Sequence, residues 1–174
     1  MTYKRTKPVQ WENAHYQKPK SEREEIRRKA IRDKFEEFKF NWHTEKSFKV
    51  KSGDSLGSVN INFDFVSYLM TGIRSSLPWG KYKIGEGAPD RFVDRLSLSE
   101  TLCQQYVLVL HEMVTFLEMP TLVVHFSKKG AAGCNLSHWG LDVELVNDRW
   151  AFFDPTFCLC AREEFPLSSH ELKE

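Results

Sequence analysis

Apolar residues recur along this chain with two different periods, and the change between them divides it. Ile26, Ala30, Phe35 and Phe38 fall at near-helical spacing amid charge, after a Ser21-x-x-Glu24 capping box. The spacing predicts a helix over about 22–40. Phe65, Leu69, Ile73 and Leu77 repeat every four residues and predict a second helix, with Asp64 placed to cap it. Cys103, Val107, Leu110, Val114 and Leu117 alternate steps of four and three, the stripe of the longest apolar helix, over roughly 98–119. Ser97 and Glu100 have the spacing of its capping box, and Pro120 limits it. Apolar residues off the stripe (Leu102, Val109, Met113, Phe116) predict a helix wrapped on most sides.

Elsewhere the period is two. SFKVK (47–51) and SVNINF (58–63), with the turn-prone SGDSLG between, read as a hairpin. TLVVHF (121–126) reads as a buried strand and KKGAAG as a loop. HWGLDVELVNDRWAFFDPTF, His138 to Phe157, reads as an antiparallel hairpin turning near Asn147-Asp148. Residues 1–20 have no apolar period and carry Pro8 and Pro19, an extended lead-in. Helices first and strands last argue for an α+β fold.

Composition adds bounds. A chain of 174 residues that is 41% apolar suits one domain with a core. The first ten residues lack the apolar core of a signal peptide, and no apolar run nears the roughly 18 residues of a membrane span, so a cytoplasmic address without membrane is expected. Cysteines at 103, 134, 158 and 160 are too uneven for a disulfide scaffold and read as reduced. Residues 1–51 hold 15 Lys+Arg against 8 Asp+Glu, a net +7, whereas residues 52–174 hold 10 against 16, a net −6. The division is therefore a basic arm with an amphipathic helix over 1–50, packed on an acidic core over 51–174. An arm that contacts nucleic acid or another polyanion is the competing reading.

The candidate chemistry lies in three residues. Cys103 sits near the start of a buried helix, where the helix dipole and a nearby imidazolium both favour thiolate. His138 would take the thiol proton and deliver it to a leaving amine. Asp154 would bond the far ring nitrogen and fix its tautomer. One geometric condition follows. A tight Asn147-Asp148 turn pairs residues whose numbers sum to 295, which puts His138 and Asp154 on opposite faces. The triad therefore requires an odd-length loop or a β-bulge; a sum of 292 would set the two residues directly opposite.

The run LCQQYVLVLHEMVTFLEMPTLVV, then His138-Trp139, Asp142-Val143-Glu144-Leu145, Arg149-Trp150 and Phe153-Asp154-Pro155-Thr156, resembles the transglutaminase-like superfamily over about residues 97–158. The resemblance implies a papain-like cysteine-hydrolase core, in which a central buried helix packs on a C-terminal antiparallel sheet. It implies Cys103 as nucleophile, His138 as base and acid, and Asp154 as orienter. The family usually has a glycine just before the cysteine, where this chain has Thr101-Leu102. Trp79, as in some relatives, is a candidate oxyanion donor beside the Cys103 backbone N–H, and Gln104 and Trp139 are further candidates for oxyanion or substrate contact.

Competing readings attach to the other residues. His111 and His125 read as structural. Cys134, His138, Cys158 and Cys160 would make four zinc ligands, but the C-x-C spacing is unlike a zinc ribbon and the set would consume the base. No metal or organic cofactor is expected. The expected activity is cysteine-dependent acyl transfer on the carboxamide or peptide bond of a protein or peptide. Protease, amidase or deamidase chemistry leads, with amine transfer as in a transglutaminase behind it. A binding protein that kept the fold and lost the chemistry is the alternative, suggested by the missing glycine.

Overall fold

A computed structural model describes residues 2–5, 21–38, 56–80, 92–96, 102–129, 135–146, 148–160 and 166–173. It is an α+β fold. The elements are β1 (Thr2–Arg5), α1 (Glu22–Glu37), α2 (Leu56–Ser76), α3 (Phe92–Leu96), α4 (Cys103–Phe116), β2 (Thr121–Lys129), β3 (Asn135–Val146), β4 (Arg149–Asp154) and β5 (Leu159–Cys160), with a 3-10 turn at Glu171–Lys173. The five strands form one antiparallel sheet in sequence order.

Side chains alternate across a strand, so β3 presents Leu141, Val143 and Leu145 to one side and Gly140, Asp142 and Glu144 to the other. The first side meets α2 and α4. Val66, Leu69 and Ile73 of α2, with Val107, Leu110 and Val114 of α4, join Leu141, Val143, Ala151 and Phe153 in one core, all but fully buried. The second side is covered in part by the C-terminal segment, where Ser169 bonds the Asp142 carboxylate, while the Phe152 N–H donates along the β4 edge to the Leu167 carbonyl at 2.8 Å. Phe152 also explains a glycine: a Cβ at Gly140 would fall inside its ring.

Several expectations change. SVNINF lies inside α2, because Val59, Asn62, Phe63 and Val66 are buried together at helical spacing. Asp64 is an exposed residue within that helix, so it caps nothing, and the other half of the expected hairpin (47–51) lies outside the described residues. The α4 helix begins at Cys103 with Leu102 as its N-cap in extended conformation, and no side chain bonds the cap. The expected capping box at Ser97 and Glu100 lies outside the described residues. The lead-in contributes β1, which pairs with β2 from Thr2↔Ser127 to Arg5↔Val124.

The α1 helix keeps its expected Ser21 cap, whose hydroxyl accepts the Glu24 N–H at 3.3 Å, and ends at Phe38. Its buried face is Arg28, Ile31 and Phe35, whereas Ile26 is exposed. Phe35 packs on Phe116 of α4 with ring centroids 5.7 Å apart. Glu112 of α4 accepts from Arg27 of α1 and, at 2.8 Å, from Arg95 of α3. Arg28, Lys29 and Lys34 pair with Glu24, Asp33 and Glu37 on the same helix. No helix among the described residues is long and apolar enough to cross a membrane.

Candidate active site

The β3–β4 hairpin carries two of the three candidate residues. Its turn is tight, pairing Val146 with Arg149, which is the register that would separate His138 from Asp154. A bulge at Leu145 then changes the register to Glu144↔Trp150 and onward to Leu141↔Phe153. Of the two devices that could reverse the parity, the bulge is the one present; the loop stays even. The extra residue brings His138 and Asp154 to one side, offset by one diagonal step along the strands rather than directly opposite, since continuing the register sets Asp154 across from Gly140. The Leu145 carbonyl at the bulge is taken by the side-chain amide of Asn62, a buried residue of α2.

Asp154 is the last residue of β4, at the open end of the hairpin. Its Oδ1 accepts the Thr156 N–H at 3.0 Å and the Phe157 N–H at 3.4 Å. The Asp-Pro-Thr sequence gains a physical reason here: the chain turns back around its own carboxylate, and Pro155 has no N–H to compete. The other oxygen, Oδ2, lies 2.6 Å from His138 Nε2. Asp154 is 5% exposed, so this charge is held almost entirely by hydrogen-bond donors.

His138 therefore has Nε2 on Asp154, which leaves Nδ1 for its second partner. The Cys103 side chain lies beside the ring and is the second group that favours its protonated form. The imidazole pKa is raised to about 9, first by the hydrogen bond to Asp154 and then by Cys103, against the lowering effect of burial. His138 is thus an imidazolium at neutral pH. Cys103 itself is the first residue of α4 and half-buried. The helix's own bonds begin with the Gln105 and Tyr106 N–H groups, which donate to the Leu102 carbonyl at 3.0 and 3.3 Å. The N–H groups of Cys103 and Gln104 have no partner among the described residues. Two free donors at a positive helix end, beside the sulfur, suit a developing oxyanion.

The remaining candidates fall in different places. Trp79 is half-exposed; its ring stacks on Tyr106 at 6.1 Å and 18° and meets Phe157 at 6.4 Å. Trp139 lies on the opposite side of β3 from His138, 4.7 Å from His125 across the strands, and does not join the triad. His111 Nδ1 is 2.6 Å from Thr121 Oγ1, and burial lowers its pKa to about 4. Cys158 has φ 53° and its thiol is pushed up by burial, while Cys160 is exposed. Cys134 lies outside the described residues.

Sequence reasoning missed Phe157 and Asn62. Phe157 stacks on His138 with centroids 5.3 Å apart and an angle of 28°. Its signal was present, since it directly follows the Asp-Pro-Thr turn. Asn62 gave none, because its role depends on a bulge in a distant hairpin. No protein-family model, no curated protein and no solved structure matches the chain.

Proposed function

We propose that this chain is a cysteine-dependent acyl-transfer enzyme with a transglutaminase-like, papain-like core, acting on the carboxamide or peptide bonds of a protein or peptide. Hydrolysis as protease, amidase or deamidase is the preferred outcome, with amine transfer the variant of its second step. One observation carries the reading. Three element ends converge: the start of α4, the early part of β3 and the end of β4 bring sulfur, imidazole and carboxylate into one relay.

The chemistry runs as follows. The thiol proton resides on His138 and the sulfur attacks the carbonyl carbon, while the N–H groups of Cys103 and Gln104 receive the oxyanion. The C–N bond breaks as His138 gives its proton to the leaving nitrogen, which leaves a thioester on Cys103. Water, deprotonated by His138, attacks the thioester, and loss of the carboxylate returns the thiol. Asp154 holds the ring in the tautomer that every step needs.

The test is alkylation of Cys103 by iodoacetamide across pH 5 to 9 (a window of about two units on either side of neutral), read by mass spectrometry of the Cys103 peptide. His138→Ala is expected to slow labelling at the acidic end by about tenfold or more. Labelling that is indifferent to His138 would remove the enzyme reading.

A further inference from the structure

Three aromatic rings connect the first turn of α4 to the triad histidine, itself the fourth ring of the arc. Tyr106, one helical turn after Cys103, is fully buried, and its hydroxyl donates to the Leu77 carbonyl at 2.6 Å and accepts from Arg74 Nη1 at 3.1 Å. Trp79 lies nearly parallel on Tyr106, Phe157 leans against Trp79, and Phe157 stacks on His138. Cys103 closes the circuit, sharing a helix face with Tyr106 and lying beside the His138 ring. The nucleophile is thus one member of a circuit otherwise made of aromatic rings. The two central members are open to solvent, Trp79 at 50% and Phe157 at 61%.

These open rings are already held in place. Trp79 rests on a buried, hydrogen-bonded tyrosine, and the Phe157 backbone is fixed by Asp154. Rigid aromatic faces bind at low cost in conformational freedom. Charge narrows the ligand. Arg74 stands over the Tyr106 ring at 5.4 Å, and the imidazolium of His138 stands at the other end of the arc. The acid on the arc, Asp154, is buried and engaged by His138 and two backbone N–H groups. Among the described residues, a cationic side chain entering here would meet two cations and no acid left unengaged. An uncharged aromatic side chain meets only ring faces.

We propose, resting on the enzyme reading above, that Trp79 and Phe157 form the acyl-side binding surface and that the substrate carries an aromatic side chain beside the scissile amide. The probes are iodoacetamide, N-benzyliodoacetamide and iodoacetate, each rate on Cys103 divided by the rate on free cysteine. N-benzyliodoacetamide is expected to exceed iodoacetamide by about tenfold on this normalised scale, the size of one well-placed aromatic contact. The ratio should fall to about twofold or less in Trp79→Ala and in Phe157→Ala, and be retained in Phe157→Tyr, where the ring contact survives. Because each ratio is internal to one variant, a change in the nucleophile itself cancels. Both side chains are exposed, and a thermal midpoint close to the parent's in each variant shows that the fold is kept. A parent ratio near one, a ratio that survives both alanine variants, or a preference for iodoacetate over both amides would overturn the inference. If labelling depends on His138 but shows no benzyl preference, only this inference fails. If His138 dependence is itself absent, the enzyme reading fails and takes this one with it.

Discussion

Two aspartates lie on the same side of the β3–β4 hairpin, and both are buried. Asp142 is 0% exposed and Asp154 is 5% exposed. Asp142 accepts the Ser169 N–H on Oδ1 at 2.8 Å and the Ser169 hydroxyl on Oδ2 at 2.5 Å. Asp154 accepts backbone N–H groups on Oδ1 in the same way, but turns Oδ2 to the imidazole of His138. Residue type, sheet side and burial match. The aspartates differ in the partner shown for Oδ2: a hydroxyl that cannot hold charge, against a ring that can. Asp142 fastens the C-terminal segment to the sheet, and Asp154 steadies the ring that holds a proton next to a sulfur. Burial of a carboxylate thus says little about function until the partner of each oxygen is known.

The largest expected effects separate the two. Asp154→Asn presents an amide N–H₂ or a neutral oxygen to Nε2, so the tautomer and the imidazolium are lost. The Cys103 alkylation rate at neutral pH should fall by about 100-fold or more, with a stability loss of about 1 kcal/mol. Asp142→Asn should do the reverse: a loss of about 2–3 kcal/mol in urea denaturation, and alkylation of the folded molecule within about twofold of the parent. Matching signatures from the two variants would mean that the partner distinction is wrong.

Titration sharpens the same contrast. The imidazole of an unfolded chain has its ordinary pKa near 6.5, and that of folded His138 is raised to about 9. Below about pH 6.5 both states bind the proton and the stabilisation from the raised pKa is whole. Between about 6.5 and 9 the folded state keeps a proton that the unfolded state releases, so this stabilisation is lost as pH rises through that window. Asp142→Asn should retain that decline in unfolding free energy, and Asp154→Asn should flatten it. Denaturation at intervals from pH 6 to 10, spanning about one unit beyond the window, checks both.

The two aspartates also mark how far the sequence could be read. His138 and Asp154 stood out because an ordinary hairpin needs neither, and parity alone demanded a bulge or an odd loop. Parity could not locate the bulge, where Asn62 reaches the Leu145 carbonyl from α2. Parity also left the offset open: the register sum along the strands is 294, as in Leu141↔Phe153, a diagonal step from the 292 of direct opposition. SVNINF was misread because Val59, Ile61 and Phe63 alternate like a strand, while Val59, Phe63 and Val66 step like a helix. Six residues satisfy both periods, and only burial against the sheet decides. The start of α4 escaped for a related reason, since Leu102 caps it through backbone conformation alone.

Asn62→Leu tests whether the site's side of the hairpin depends on that distant amide. The substitution keeps the branched shape, with bulkier methyl ends, but removes the donor from a buried carbonyl, at a cost of about 2 kcal/mol. With the bulge loosened, the diagonal offset between His138 and Asp154 is no longer fixed, and alkylation of Cys103 should slow by several-fold, well short of the Asp154→Asn effect. A stability loss with no change in alkylation would show that the strands hold the offset without help from α2.

The smallest effect belongs to a third carboxylate on the same side of β3. Glu144 is only half-buried, and its Oε1 accepts the Asp148 N–H at 2.8 Å, steadying a turn residue with φ 58°. The bond lies in solvent, where water replaces the carboxylate at little cost. Glu144→Ala should therefore lower stability by about 0.5 kcal/mol and leave alkylation unchanged. The position is informative because Glu144 immediately precedes the bulge. If the turn's own geometry set the site, loosening it here would slow Cys103 as much as Asn62→Leu does; if the buried amide sets it, reactivity stays at the parent value while the hairpin tip loosens.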